Sequence, residues 1–355
     1  MRAIAAPLKL SSRLLGSRGR IDRRLAGIIL IVAALQVAAV LFASWVDDTL
    51  TLEGGRGVFQ HYGAWAILLT DPLLLVASGF LDRQFCIAML TLPVRPGPDV
   101  KDQLSGLLRK WIRVVRARGY SALLYALFVI VGLFAWIQNV WFTADPDGPV
   151  RHPIFAHHDV FDSGRHLWGF VTFKACLFLS WVVVYPIVGF KFLTTAMATW
   201  TILRSAQRNC LVLPRVEHPD GCYGLKNVGT LNIAILSPYL LSFFVMFSLL
   251  ITHQMLYGSI LIPLIAVTII FLISSFVVIW PAHLMLWRAR DREYRDLTTS
   301  ARNGAPTKDK DLLRFTARRL FFSAAKASPY SETTKVVILA MRAMPAAALA
   351  FRLLR

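Results

Sequence analysis

The chain has 355 residues, 56% of them hydrophobic, with a mean hydropathy of +0.56 and a net charge of +19. That hydrophobicity lies well above the soluble range and excludes an ordinary soluble protein of two or three domains. The charge alone would suggest nucleic acid as a partner, but it is confined to alternate segments of the chain, which is the pattern of a membrane protein instead.

Six apolar stretches follow in order, at 25–45, 63–80, 119–142, 168–189, 230–253 and 258–287. Each approaches or exceeds the length needed to cross a hydrocarbon core of about 30 Å at about 1.5 Å per helical residue. A segment isolated in lipid must satisfy its own backbone hydrogen bonds, so the spans are expected to be helices. The fold class is all-α, a polytopic bundle of six transmembrane helices. The alternating ten-residue segments of a β-barrel are absent. Three divisions follow: a basic segment at 1–24, the six-helix membrane domain at 25–287, and a basic tail at 288–355.

Before the first span, residues 1–20 contain no acid. This stretch reads as a basic anchor, and its composition also fits a mitochondrial transit segment. The segments 1–24, 81–118, 191–229 and 288–355 together hold 35 of the 39 Lys and Arg, against Arg56, Arg151 and Arg165 in the alternate loops. Positive charge is retained on the cytosolic side, so both termini are expected there. The basic segments would also meet anionic lipid head groups.

The second span carries Asp71-Pro72 near its middle, where the proline frees backbone groups beside an ionisable side chain. The loop after it has Leu104, Leu107, Leu108, Trp111, Ile112 and Val115 at helical spacing, with Lys110, Arg113 and Arg116 on other faces. This predicts an amphipathic helix in the inner interface. The fourth span holds Lys174 about two turns from its outer end. Asp71 and Lys174 are the two intramembrane ionisable groups, each costing about 3 kcal/mol on insertion scales. Pairing across the two spans would offset that cost. Alternatively, Lys174 snorkels outward and Asp71 contacts backbone freed by Pro72.

The outer loop after the third span contains His152, His157, His158, Asp159, Asp162 and His166, half of the eight histidines. Imidazole and carboxylate suit a divalent transition metal, and a short helix would put His158 and Asp162 on one face. No HExxH pair is present, and a solvated polar loop explains the same residues. The sixth span contains Pro263 and Pro281, which predict kinking or tilt. Residues 298–310 read as a polar linker, and Asp311 could open an amphipathic tail helix carrying Leu312, Phe315 and Leu320. The cysteines Cys86, Cys176, Cys210 and Cys222 avoid the outer loops, so no disulfide framework is expected.

The inner loop before the fifth span reads His218-Pro219-Asp220-Gly221-Cys222-Tyr223-Gly224-Leu225, then Val228-Gly229. Pro219 fixes φ, Gly221 and Gly224 permit positive φ, and Asp220 is placed to cap the following helix. The stretch resembles a pattern, roughly HPDxxGGLxxLG, of uncharacterised bacterial multi-pass membrane proteins. Tyr223 stands at the first glycine of the pair and Val228 at the last leucine. The resemblance implies a bacterial inner-membrane protein whose inner loop is structural or functional, and it carries no activity with it. A mitochondrial inner membrane is the alternative location.

No GxSxG, Walker A or GxGxxG motif is present, which argues against the common enzyme classes. The leading expectation is a homo-oligomeric channel, transporter or transport-complex subunit. The alternatives are a sensor or scaffold recruiting partners through its basic tail, and a metal-dependent membrane enzyme using the outer histidines.

Overall fold

The computed structural model describes residues 23–51, 57–116, 123, 125–134, 136–137, 167–214, 218, 220, 222–253, 269, 273, 276–303, 316, 329–330, 335–336, 338–339 and 343. Within these the chain is helical, and the one sheet-like contact is an antiparallel bridge between Val94 and Val212. The helices are α1 Arg23–Val46, α2 Tyr62–Leu90, α3 Pro98–Arg116, α4 with its apolar stretch Tyr125–Phe134, α5, α6 Lys226–His253 and α7 Trp280–Asn303. The α5 helix is built from Leu167–Phe178, a π-helical turn at Leu179–Val184, and Tyr185–Arg208, joined without a break.

Three stretches among the described residues are long and apolar enough to cross a membrane: Ile29–Val46, Ala64–Leu90 and Trp168–Arg208. Their outward faces carry exposed Leu30, Ile31, Phe42, Leu69, Leu73 and Val171. Contiguous apolar surface of this kind fits an integral membrane protein. Most of the predicted sixth span lies outside the described residues, as does the predicted tail helix apart from Thr316.

The helices outrun the predicted spans at one end. Residues 81–90 continue α2 where a loop was expected. Residues 190–208 continue α5, and 298–303 continue α7 where a polar linker was expected. Hydropathy registers only what lipid would touch, whereas these extensions are sustained by packing on one another. Leu81, Ala88, Ile202, Leu203 and Ala206 are all fully buried there. This is also where α3 lies, so it is called the basic end below. Leu104 of α3 is buried, and Leu107, Leu108 and Trp111 pack beside it. The apolar face of α3 is thus turned to protein rather than to a lipid interface.

The core is divided. A larger cluster fills the basic end and includes Leu74 of α2 with Val184 of α5. A smaller one at the opposite end includes Leu68 of α2 with Cys176 and Leu177 of α5. The joint between them falls at residues 71–72 of α2 and 178–183 of α5.

The π turn has an identifiable cause. Proline at 186 lacks an N–H and its ring crowds the carbonyl one turn earlier, so the helix widens just before it. Tyr185 N–H bonds the Ser180 carbonyl, five residues back. In that register the Trp181 carbonyl would accept from residue 186, which is proline and has nothing to donate. Trp181 O faces α4 instead, where a Cβ built on Gly132 would lie 2.0 Å from it. Only glycine permits that approach.

Gly132→Ala is therefore expected to destabilise the protein by about 2 kcal/mol or more, as overpacking against backbone does. Gly106→Ala, on an exposed turn of α3 with open space around it, should be neutral or stabilising by about 0.5–1 kcal/mol. Thermal melts of the two variants beside the parent check this; equal melting temperatures would contradict the close contact.

Candidate functional site

Asp71 is 3% exposed, deep within α2. Its Oδ2 meets the hydroxyl of Ser180, from the first turn of the π segment. Ser180 Oγ also lies 3.0 Å from the Cys176 carbonyl. Asp71 Oδ1 has no hydrogen-bond partner among the described residues, and the buried hydroxyl of Thr70 beside it is likewise unpartnered.

Lys174 is not the partner of Asp71. It is 6% exposed, with its ammonium 5.4 Å from the ring centre of Phe170, one turn toward the opposite end. Trp136 Nε1 donates to its backbone carbonyl at 2.9 Å. The ion pair that does join α2 and α5 is Asp82–Lys191, at 2.6 Å, and both residues were expected in loops. Asp71–Ser180 and Asp82–Lys191 share one sequence offset of 109. The step from 71 to 82, and from 180 to 191, is about three turns, which returns each side chain to the same face. The two helices thus run parallel with two polar rungs between them.

Fixed contacts hold each end. At the end opposite the basic one, Asp47 Oδ2 accepts from Gly169 N at 2.6 Å, placing a carboxylate on the positive start of α5. His61 Nδ1 accepts from Ala64 N at 2.9 Å and caps α2. At the basic end the 91–95 and 211–213 segments clasp through Arg95 N to Leu211 O at 2.9 Å and Leu213 N to Pro93 O at 2.8 Å.

The inner loop lies against this clasp. Asp220 Oδ1 accepts from Cys222 N at 2.8 Å and Gly224 N at 3.0 Å, and Oδ2 from Lys226 N, the first residue of α6, at 3.3 Å. His218 Nδ1 is 2.9 Å from Oδ1. Partial burial pushes the Asp220 carboxyl up, but the N–H donors of Gly224, Cys222 and Lys226, with His218, outweigh it and hold it below the usual carboxylate range. Tyr223 and Gly224 both have positive φ, +59° and +84°. A non-glycine residue costs about 1–2 kcal/mol there, and Tyr223 is held by near-complete burial. Burial pushes its phenol up; Arg290 opposes that and Glu293 adds to it, so α7 faces this side chain. Pro219 and Gly221 lie outside the described residues.

Comparison of the chain with protein-family models, with curated proteins and with solved structures finds no match in any of the three. The assignment of function therefore rests on geometry alone.

Two further groups on the basic end escaped the sequence reading. Asn232, 1% exposed, donates to Tyr330 Oη at 2.7 Å, and the Tyr330 ring stands edge-on to His283 at 5.8 Å. Gly229 makes room for Pro329, whose carbonyl would lie 2.4 Å from a Cβ there. A piece of the tail is thus seated between α6 and α7.

The metal candidates His152, His157, His158, Asp162 and His166 lie outside the described residues. Among the described residues no three His, Cys, Asp or Glu are gathered as a metal site would gather them.

Asp220 gives a pH prediction. Its folded carboxyl titrates below the unfolded value of about 4, so its stabilisation is full above that value and is lost as pH falls through the folded one. Asp220→Ala should cost about 1–2 kcal/mol near neutral pH, as loss of a helix cap does. The gap in melting temperature between parent and variant should close in acid. A gap that stays constant with pH would contradict the carboxylate's role.

Proposed function

We propose that the chain is a six-span inner-membrane protein of a bacterial cell, with both termini cytosolic, that moves a small ion or solute and works as a homo-oligomer. The observation that carries this reading is Asp71. A carboxyl at hydrocarbon depth is costly and is characteristically kept where it serves a pathway. Here it lies in the joint between two separate cores, beside Pro72 on one helix and a π turn on the other. Helices broken at mid-depth are a recurring way to expose backbone and carboxyl groups to a translocated species.

The charge distribution supports the orientation, with the basic end cytosolic. A scaffold role is the second reading, favoured by exposed cations on that end: Arg109 and Lys110 of α3 and Arg288, Arg292 and Arg295 of α7. They suit anionic head groups. The metal-enzyme reading gains nothing from the described residues.

Asp71→Asn preserves shape and removes charge. In proteoliposomes followed with proton-, sodium- and potassium-sensitive dyes, the parent should pass one of these ions faster than protein-free vesicles. The variant should retain its melting temperature within a few degrees and lose that flux at least tenfold. Parent vesicles no leakier than empty ones to all three ions would count against ion movement.

Alkaline phosphatase fused at Gly148 should be active, and fused after Gly224 or Arg302 inactive. The reverse pattern would overturn the orientation.

A further inference from the structure

We propose that Asp71 and Ser180 form a proton-binding site, in which the Asp71 carboxyl carries a proton while α2 and α5 are packed as seen and gives it to water when they part. The proposal rests on the reading of the chain as a transporter and names the coupling species.

Hydrogen-bond counting favours the protonated acid. Ser180 has one hydroxyl proton and two acceptors within reach, Asp71 Oδ2 and the Cys176 carbonyl at 3.0 Å. One O–H serves one acceptor well. If the acid is protonated, Asp71 Oδ2–H donates to Ser180 Oγ, and Ser180 donates onward to Cys176 O. Both contacts are then true hydrogen bonds in a single relay. If the acid is ionised, Ser180 must choose, and the carboxylate is left with one neutral hydroxyl for solvation.

Charge placement points the same way. No Lys, Arg or His among the described residues pairs with Asp71. Lys174 turns its ammonium to Phe170, and Lys191 is committed to Asp82 three turns away. A proton needs only the carboxyl and Ser180, both present, whereas a metal cation needs a shell of oxygens.

The location allows exchange. The pair sits at the boundary between the two cores, so the exchange asks the helices to part only locally there. The step is a proton transfer alone: the carboxyl O–H bond breaks, its electron pair stays on Asp71, and the proton goes to a water molecule. Ser180 then turns its hydroxyl from Cys176 O to the new carboxylate. Nothing is oxidised or reduced.

Infrared difference spectroscopy of the full chain in lipid vesicles tests this, comparing about pH 5 with about pH 9, a range over which an exposed carboxyl is already ionised. The parent should show a carboxylic-acid C=O band that shifts in D2O, declines as pH rises and is lost in Asp71→Asn. Ser180→Ala should keep the band but move it, because its hydrogen-bond partner is gone. That shift also identifies the group should Asp71→Asn fail to fold. A missing band, or one that bulk pH never alters, overturns the proposal. A titrating band without Asp71-dependent flux keeps the proton site and defeats the transport reading. Asp71-dependent sodium or potassium flux with no band keeps the transport reading and defeats the proton site.

Discussion

A carboxyl group placed where lipid surrounds the helices must find its hydrogen bonds inside the protein, and for Asp71 the donor comes from another helix. This requirement fixes more than one contact. For Ser180 to reach Asp71, α2 and α5 must lie parallel in one register, and that register then brings Asp82 to Lys191 three turns further on. A shift of one residue would rotate both acids by about 100° and separate both pairs. Polar rungs thus act on these two helices as buried polar residues do in coiled coils, selecting one alignment among many that apolar packing would accept equally well.

The prolines act locally and their consequences are met locally. Pro238 of α6 leaves the Ala234 carbonyl without its usual donor, and Ser237 Oγ supplies one at 2.8 Å. Pro186 leaves the Trp181 carbonyl in the same condition. There a neighbouring helix comes close through a glycine instead. The first solution closes the break within its own helix. The second makes α5 depend on α4, so that any change in the π turn must be felt across that contact. The joint between the two cores is therefore coupled to a third helix.

Much of the architecture was legible in the sequence because it depends on averages over many residues. The first, second, fourth and fifth spans coincide with helices α1, α2, α5 and α6. The spacing of Leu104, Leu107, Leu108 and Trp111 placed α3. Asp220 as a cap was legible too, since capping is local and the residues it serves lie within six positions of it. What was not legible depends on pairs distant in sequence. Asp71 stood out as costly, but no charge or motif pairs it with Ser180, 109 residues away. The rule that opposite charges seek one another pointed to Lys174, and depth along the helix overruled it. Pro186 was visible in the fourth span and would have flagged the π turn, and with it Ser180.

The inner loop holds a tyrosine in a backbone conformation that favours glycine. Two consecutive residues there, 223 and 224, adopt positive φ, the conformation that a glycine pair enters freely. The second of them is glycine, where a Cβ would press on Pro93 at 3.2 Å, and the first is tyrosine. The backbone cost at Tyr223 is set against burial of a whole aromatic ring in the basic-end core. The same cluster includes Met285 and Leu286 of α7, so the tyrosine adds to a core shared by the loop and that helix. Tyr330 of the tail stands edge-on to His283 of α7 and accepts from Asn232 of α6, so the tail bridges these two helices at the basic end. A movement of α7 at the basic end would therefore disturb the Tyr330–His283 contact.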